Sequence, residues 1–330
     1  MGTVAVATVL LAPVALPLLA VLDLLRLKRR LPMARLYSFA VLWSWLELGG
    51  VAAAGALWIT GRARDLRAHY RLQAWWADKV MWALRVTCDL RPQVRGADQL
   101  GPGPTVLLVR HASLADSLLT AWVATHLAGM RPRVVMKKEL LVDPCLDIVG
   151  NRLPNTFVDR SAADSEPELA AISSMARDLG GGDLAVLFPE GTRSNPAKRK
   201  RALESIARRD PQRAERMSGL QHLLPPRPAG AATLVATAAG ARICVGWHTG
   251  FEGLDTFSGI LAALGRPHNP VSIEFREADP PPAPSPGAAR VVLDPTEAFV
   301  SWLDELWSQL DASVDEQLRA APGRRAGRGA

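Results

Sequence analysis

The chain has 330 residues, 48% of them hydrophobic, and a formal net charge of +7. Its three cysteines, Cys88, Cys145 and Cys244, lie far apart, which argues against a disulfide framework or a Cys-rich zinc site and suits a reducing compartment. The six histidines fall in no ligand spacing, so no metal is expected, and the basic balance points to an anionic partner surface.

From Gly2 to Leu22 there is no charge, a length that spans a bilayer as a helix. Pro13 and Pro17 would kink it, which membrane helices tolerate. The rival reading is a signal peptide, but a basic leading region and a small-residue cleavage site are both missing. Arg26, Lys28, Arg29, Arg30 and Arg35 then suit a cytoplasmic headgroup layer. Leu36 to Thr60 is a second apolar stretch, with Glu47 as its one charge. A charge at the bilayer centre costs roughly 2.5 to 3.5 kcal/mol or more. Either Glu47 faces a partner or the segment dips in and returns. Residues 1–64 are therefore expected to anchor the chain by one span plus a second span or a re-entrant helix. Asp65 to Leu90 reads as a long helix whose Trp75, Trp76 and Trp82 suit a core or a lipid interface.

Strands and helices then alternate. Strand-like runs are Thr105–Val109, Arg133–Met136, Thr156–Val158, Leu184–Phe188, Arg242–Trp247 and Val271–Phe275. Helix-like segments between them include Leu114–Ala128, Glu166–Leu179 and Gly230–Ala239. This rhythm predicts an α/β domain over residues 65–278, with a mainly parallel sheet flanked by helices. In such a sheet ligands bind beyond the carboxyl ends of the strands. His111, Lys137, Arg160, Glu190 and Arg193 all follow strand-like runs, so parallel strands would bring them to one edge.

Residues 195–228 form a basic insertion with Lys198-Arg-Lys-Arg201, Arg208, Arg209, Arg213 and Arg216. It reads as a solvated, partly mobile arm or as a lid on an anionic membrane. Residues 279–293 read as a Pro-rich linker. Residues 294–320 read as an amphipathic helix with Asp294 as N-cap and Phe299, Trp302, Leu303, Leu306, Trp307, Leu310, Val314 and Leu318 at helical spacing. Residues 321–330 read as a disordered basic tail.

Four blocks carry chemistry. His111-x4-Asp116 joins a base to a carboxylate that can orient it. Lys137-Lys-Glu-Leu140 follows, then Phe157-Val-Asp-Arg160, then Phe188-Pro-Glu-Gly-Thr-Arg-Ser194, in which Gly191 allows a tight turn and Arg193 can grip a phosphate. Their order resembles the glycerolipid acyltransferases, the lysophosphatidate acyltransferase family, over Thr105 to about Phe275. The insertion after Arg193, the Leu223-Leu-Pro-Pro-Arg227 stretch and the Trp302 helix look more like its lysocardiolipin and lysophospholipid branch.

That resemblance implies acyl transfer from acyl-CoA or acyl carrier protein to a lysophospholipid hydroxyl, with 1-acylglycerol-3-phosphate as acceptor and no bound cofactor. His111 would be the general base and Asp116 would orient it. Arg160, Glu190, Gly191, Thr192 and Arg193 would form the phosphate pocket. Arg110, Lys137 and Lys138 would be further contacts to phosphate or CoA. The expected partners are the lysophospholipid, acyl-CoA and anionic membrane lipids, and the expected place is a bacterial inner membrane with the site facing the cytoplasm. This sequence departs from the family pattern at Arg110, where Asn is usual, at Ala112, at Pro154, and in Ile243-Cys-Val-Gly246, which lacks the usual Pro. Arg110 adds a positive charge beside His111. Another lysolipid or a glycolipid as acceptor is one alternative, and a non-catalytic membrane-binding scaffold is another. The absence of any recognition motif weighs against a nucleic-acid binder.

Overall fold

The computed structural model describes residues 2–113, 115–159, 166–254, 256–266, 270–282 and 291–320. Arg160, part of the Pro-rich linker and the basic tail lie outside them. Two long apolar helices come first, α1 (Gly2–Leu25) and α2 (Pro32–Ile59). Both are long and apolar enough, by length and composition, to cross a membrane. The first N–H groups of a helix have no partner inside it. In α2 two of them, Met33 N and Ala34 N, donate to the buried Asp23 at 2.9 and 3.2 Å.

The third helix, α3 (Leu66–Cys88), starts on Asp65, whose carboxylate accepts from Ala68 N at 3.0 Å. Its Trp76 indole donates to Glu47 Oε1 at 2.9 Å, and Glu47 is fully buried. The charge in the second apolar stretch thus faces protein. Arg35 adds a tie from α2, donating to Thr87 O at 2.7 Å.

The α/β region follows in chain order: β1 (Gln93–Arg95), β2 (Thr105–Val109), α4 (Asp116–Trp122), β3 (Arg131–Lys137), α5 (Pro144–Gly150), β4 (Thr156–Val158), α6 (Glu166–Ala176), β5 (Asp183–Leu187), α7 (Pro196–Ala207), α8 (Pro211–Met217), α9 (Pro228–Thr237), β6 (Arg242–Thr249), α10 (Phe257–Leu264), β7 (Ser272–Glu277) and α11 (Glu297–Ala320). The sheet order is β1-β7-β6-β2-β5-β3-β4. Strands β6, β2, β5, β3 and β4 are mutually parallel, while β7 runs antiparallel to β6 and carries β1 parallel to itself. A mainly parallel sheet flanked by helices is therefore present, with one reversed edge.

Successive side chains of a strand point to opposite faces. In β2, Val106 and Leu108 enter one core, with Leu187, Leu234, Leu303 and Trp307. Leu107 and Val109 enter the other, with Leu119, Val123, Val186 and Phe188. Gly50 lets α5 approach α2: a Cβ there would lie 2.6 Å from Cys145 Sγ. Arg152 reinforces that joint by donating to Ala54 O at 3.0 Å.

The basic insertion is built as two helices. Asn195 caps α7 and Asp210 caps α8, each followed by Pro at the first helical position. Helix α11 starts at Glu297, capped by Thr296 through Phe299 N at 3.3 Å, two residues beyond the expected Asp294 cap. Its apolar stripe packs on the domain, and its acidic residues hold the insertion. Asp304 takes two-pronged hydrogen bonds from Arg213, Nε to Oδ2 at 2.9 Å and Nη2 to Oδ1 at 2.8 Å. Asp311 accepts Gln221 N, His222 N and Leu223 N, all at 2.8 Å. Removing one member of a buried pair strands the other charge. Asp304→Ala is expected to cost about 3 to 5 kcal/mol of stability in denaturant unfolding. A loss below about 1 kcal/mol, the range of exposed pairs, would show that the Arg213 contact holds nothing.

Candidate active site

Strand β2 is buried along its length, and its ladder runs one residue further through Arg110 N, which donates to Gly246 O at 2.9 Å. The chain then leaves the sheet, and His111 emerges at the carboxyl edge with its side chain 19% exposed. Its ring leans on Phe188 at 4.9 Å between centroids. Asp116 opens α4 and is wholly buried. Its Oδ2 accepts His111 Nδ1 at 3.0 Å, Ala112 N at 2.6 Å and Ser113 N at 2.8 Å. Its Oδ1 accepts the Ser113 hydroxyl. Ser113 Oγ accepts in turn from Ala115 N at 3.0 Å, closing the turn into α4. With Asp116 as acceptor, the Nδ1 proton is fixed and Nε2 is left with its lone pair. Among the described residues Nε2 has no partner, so it is the nitrogen available to a substrate proton.

The Phe188–Ser194 loop leaves β5 beside it. Buried Glu190 accepts His111 N at 2.7 Å through Oε1 and Leu224 N at 2.9 Å through Oε2. Ser194 N donates back to His111 O at 2.8 Å. The loop therefore holds both backbone groups of residue 111. Gly191 has φ +73°, and a Cβ there would stand 3.0 Å from Arg227 Nε. The position needs glycine for its conformation and for the guanidinium packed over it. Lys198, from the first turn of α7, donates to Thr192 Oγ1 and Arg193 O, both at 3.1 Å. Arg193, half-buried, makes no ion pair with its own side chain among the described residues. Three cations, Arg193, Lys198 and Arg227, thus stand around one tight turn.

Burial raises the Glu190 carboxyl to about 8, opposed by the N–H groups of His111 and Leu224 and by Arg110. Asp116 goes the other way. Burial would raise it, but the positive ends of His248 and then His111 hold it well below the usual carboxylate range.

Of the residues singled out in the sequence, His111, Asp116, Glu190, Gly191, Thr192 and Arg193 meet at this edge. Arg110 lies behind His111, buried, donating to the His248 carbonyl and pairing with Glu252 at 3.1 Å. Lys137 and Lys138 leave the same edge but two strands away, beyond β5. Lys137 pairs with Glu139 at 2.5 Å. His248, Lys198 and Arg227 were not anticipated here. His248 lies one residue past the expected end of its strand, which continues to Thr249. Extending that strand by its period of two would have placed His248 on one face with Cys244 and Gly246, at the carboxyl end beside β2.

An acyltransferase family model matches residues 91–245. The 1-acyl-sn-glycerol-3-phosphate acyltransferase of Pseudomonas aeruginosa is 31% identical over 134 residues, covering 38% of this chain and 48% of that protein. The chain thus spans about half the length of this curated relative. Among solved structures, the 1-acyl-sn-glycerophosphate (LPA) acyltransferase PlsC from Thermotoga maritima aligns over 82% of this chain and 95% of its own, at 14% identity and a TM-score of 0.45. The family match encloses His111, Asp116 and Glu190 to Arg193 and stops short of His248.

Proposed function

We propose that the chain is a membrane-bound glycerolipid acyltransferase whose acceptor is 1-acylglycerol-3-phosphate, a reading supported by the acyltransferase family model that matches residues 91–245. The observation that carries the reading is the pair His111 Nδ1 to Asp116 Oδ2 at 3.0 Å, with Nε2 left open beside a turn ringed by cations. In this reading the acceptor hydroxyl gives its proton to His111 Nε2 as its oxygen attacks the thioester carbonyl. A carbon–oxygen bond forms, the carbon–sulfur bond breaks, and the proton passes to the leaving thiolate. The acceptor hydroxyl is itself the nucleophile, so no acyl-enzyme is needed.

Arg193, with Lys198 and Arg227 at the same turn, holds the acceptor phosphate. Arg160 remains a candidate for the same phosphate by resemblance, and Lys137 and Lys138 for the phosphates of CoA. The donor is acyl-CoA or acyl carrier protein. Helices α1 and α2 seat in the membrane, which brings the acceptor to the domain they pack against. A bacterial inner membrane with the site facing the cytoplasm fits the supply of donors.

The test compares acceptors. With labelled oleoyl-CoA and detergent-solubilised full chain, 1-oleoylglycerol 3-phosphate should be acylated and its phosphate-free counterpart, monooleoylglycerol, should not. Arg193→Ala should raise KM for the phosphate acceptor by about tenfold to a hundredfold, the worth of one or two charge-assisted hydrogen bonds, and leave KM for oleoyl-CoA nearly unchanged. Equal use of both acceptors by wild type would remove the phosphate role of this turn.

A further inference from the structure

His248 stands at the end of β6 with no exposed surface. Its Nε2 lies 3.2 Å from Asp116 Oδ1, the oxygen that His111 does not use. Neither ring nitrogen has an aligned hydrogen-bond partner among the described residues. Its position is nonetheless fixed. The ring meets Phe251 edge-on at 5.4 Å, and its carbonyl accepts from Arg110. Buried imidazoles normally find partners for both nitrogens. An imidazole whose Nε2 stands 3.2 Å from a buried carboxylate oxygen is within donating distance of it.

We propose that His248 is a second imidazole partner of Asp116, a positioning residue that steadies the carboxylate through Oδ1 and moderates the basicity of His111. This rests on the reading of His111 as the general base. A carboxylate that receives a donor on Oδ1 has less negative charge to offer through Oδ2. The protonated form of His111 is then less favoured, and the base stays neutral at lower pH. The sign is the same whether His248 is a neutral donor or a cation. The other charged groups around the pair are Arg110 and Glu252 behind it, Glu190 from the loop after β5, and, on the neighbouring strand β7, Glu274, which is engaged by Gln317 of α11 at 2.8 Å. Of these only Arg110 is a buried cation, and Glu252 answers it; on Oδ1 His248 is the titratable neighbour, beside the non-titrating Ser113 hydroxyl.

The experiment is the pH profile of kcat/KM for oleoyl-CoA and 1-oleoylglycerol 3-phosphate, with full-length wild type, His248→Leu, His248→Gln and His111→Ala in detergent. His248→Leu should move the acidic limb upward by about one pH unit, as expected for removing a donor or charge within contact range. His248→Gln, whose side-chain amide can still donate to Oδ1, should return the limb to within a few tenths of wild type. A merely structural role would lower the rate equally at all pH values, with the limb unmoved and both variants alike, and that result overturns the proposal. If His111→Ala turns over as wild type does, the base reading itself fails and the proposal falls with it. If His111→Ala is inactive while the His248→Leu limb stays in place, only the role of His248 fails. Should leucine prevent folding, the imidazole nitrogen resonances of histidine-labelled wild type carry the test. The His248 ring should hold its proton on Nε2 and its shifts should respond to Asp116→Asn, whereas an unresponsive ring contradicts the pairing.

Discussion

His111→Ala is expected to lower acyl transfer by about 10² to 10⁴-fold while the protein still folds. The side chain stands at the rim of the sheet, 19% exposed, and its deletion opens no sealed cavity. What disappears is the lone pair on Nε2, and no neighbour can replace it. Asp116 is buried and already takes hydrogen bonds from Ala112 N and Ser113 N, and Glu190 is occupied by His111 N and Leu224 N. The backbone N–H of residue 111 survives in the alanine variant, so the loop after β5 keeps its anchor. The check is a kcat measurement beside a thermal unfolding curve. Turnover within a factor of three of wild type, with an unchanged unfolding curve, would sink the assignment of the base.

The second large effect concerns stability. Glu190 is the joint between the His111 turn and the Leu223–Leu224 strap, and Asp311 of α11 holds the same strap from the other side. Glu190→Leu leaves two N–H groups without acceptors, the buried one of Leu224 and the part-buried one of His111. Each such group costs about 1 to 3 kcal/mol, so a loss of about 2 to 6 kcal/mol is expected, with activity falling because residue 111 loses its position. Glu190→Gln offers one carbonyl oxygen for two donors and should lose about half as much. Burial raises the folded-state value of this carboxyl from 4.5 to about 8, so the folded state holds its proton more tightly than the unfolded chain does. The stability this contributes is complete below about 4.5 and is lost as the pH climbs through about 8. Wild type should therefore melt at progressively lower temperature across that window, and Glu190→Gln should melt with a flatter dependence. Parallel curves for the two proteins would show that Glu190 does not titrate there.

Much of the site was legible because its parts lie next to strong local signals. Val106–Val109 is short, apolar and β-forming, and it delivers His111 where a parallel sheet opens. Asp116 follows within one turn, so the pair is fixed by local geometry. Glu190 and Gly191 sit in the same relation to Leu184–Leu187. The edge β1 was missed because Gln93–Arg95 is three residues long and is held by pairing with β7, a partner far away in sequence. The reversal of β7 against β6 is likewise a property of the pairing and leaves no trace in either strand's composition. In the insertion, expected as a solvated arm or a lid on an anionic membrane, the charges hide the helical period, yet Asn195-Pro196 and Asp210-Pro211 are readable starts of helices. His248 was hidden for a different reason. Its partner Asp116 lies on the far side of several elements, and only the sheet order, with β6 beside β2, brings the two together.

The most direct measurement is the release of CoA thiol from oleoyl-CoA by the detergent-solubilised full chain, with and without 1-oleoylglycerol 3-phosphate, while phosphatidate is counted in the same samples. The expected result is release that depends on the acceptor, with one phosphatidate formed per thiol and both lost in His111→Ala. Thiol release that ignores the acceptor, or binding to anionic vesicles with no phosphatidate at all, would contradict the assignment of this site to acyl transfer.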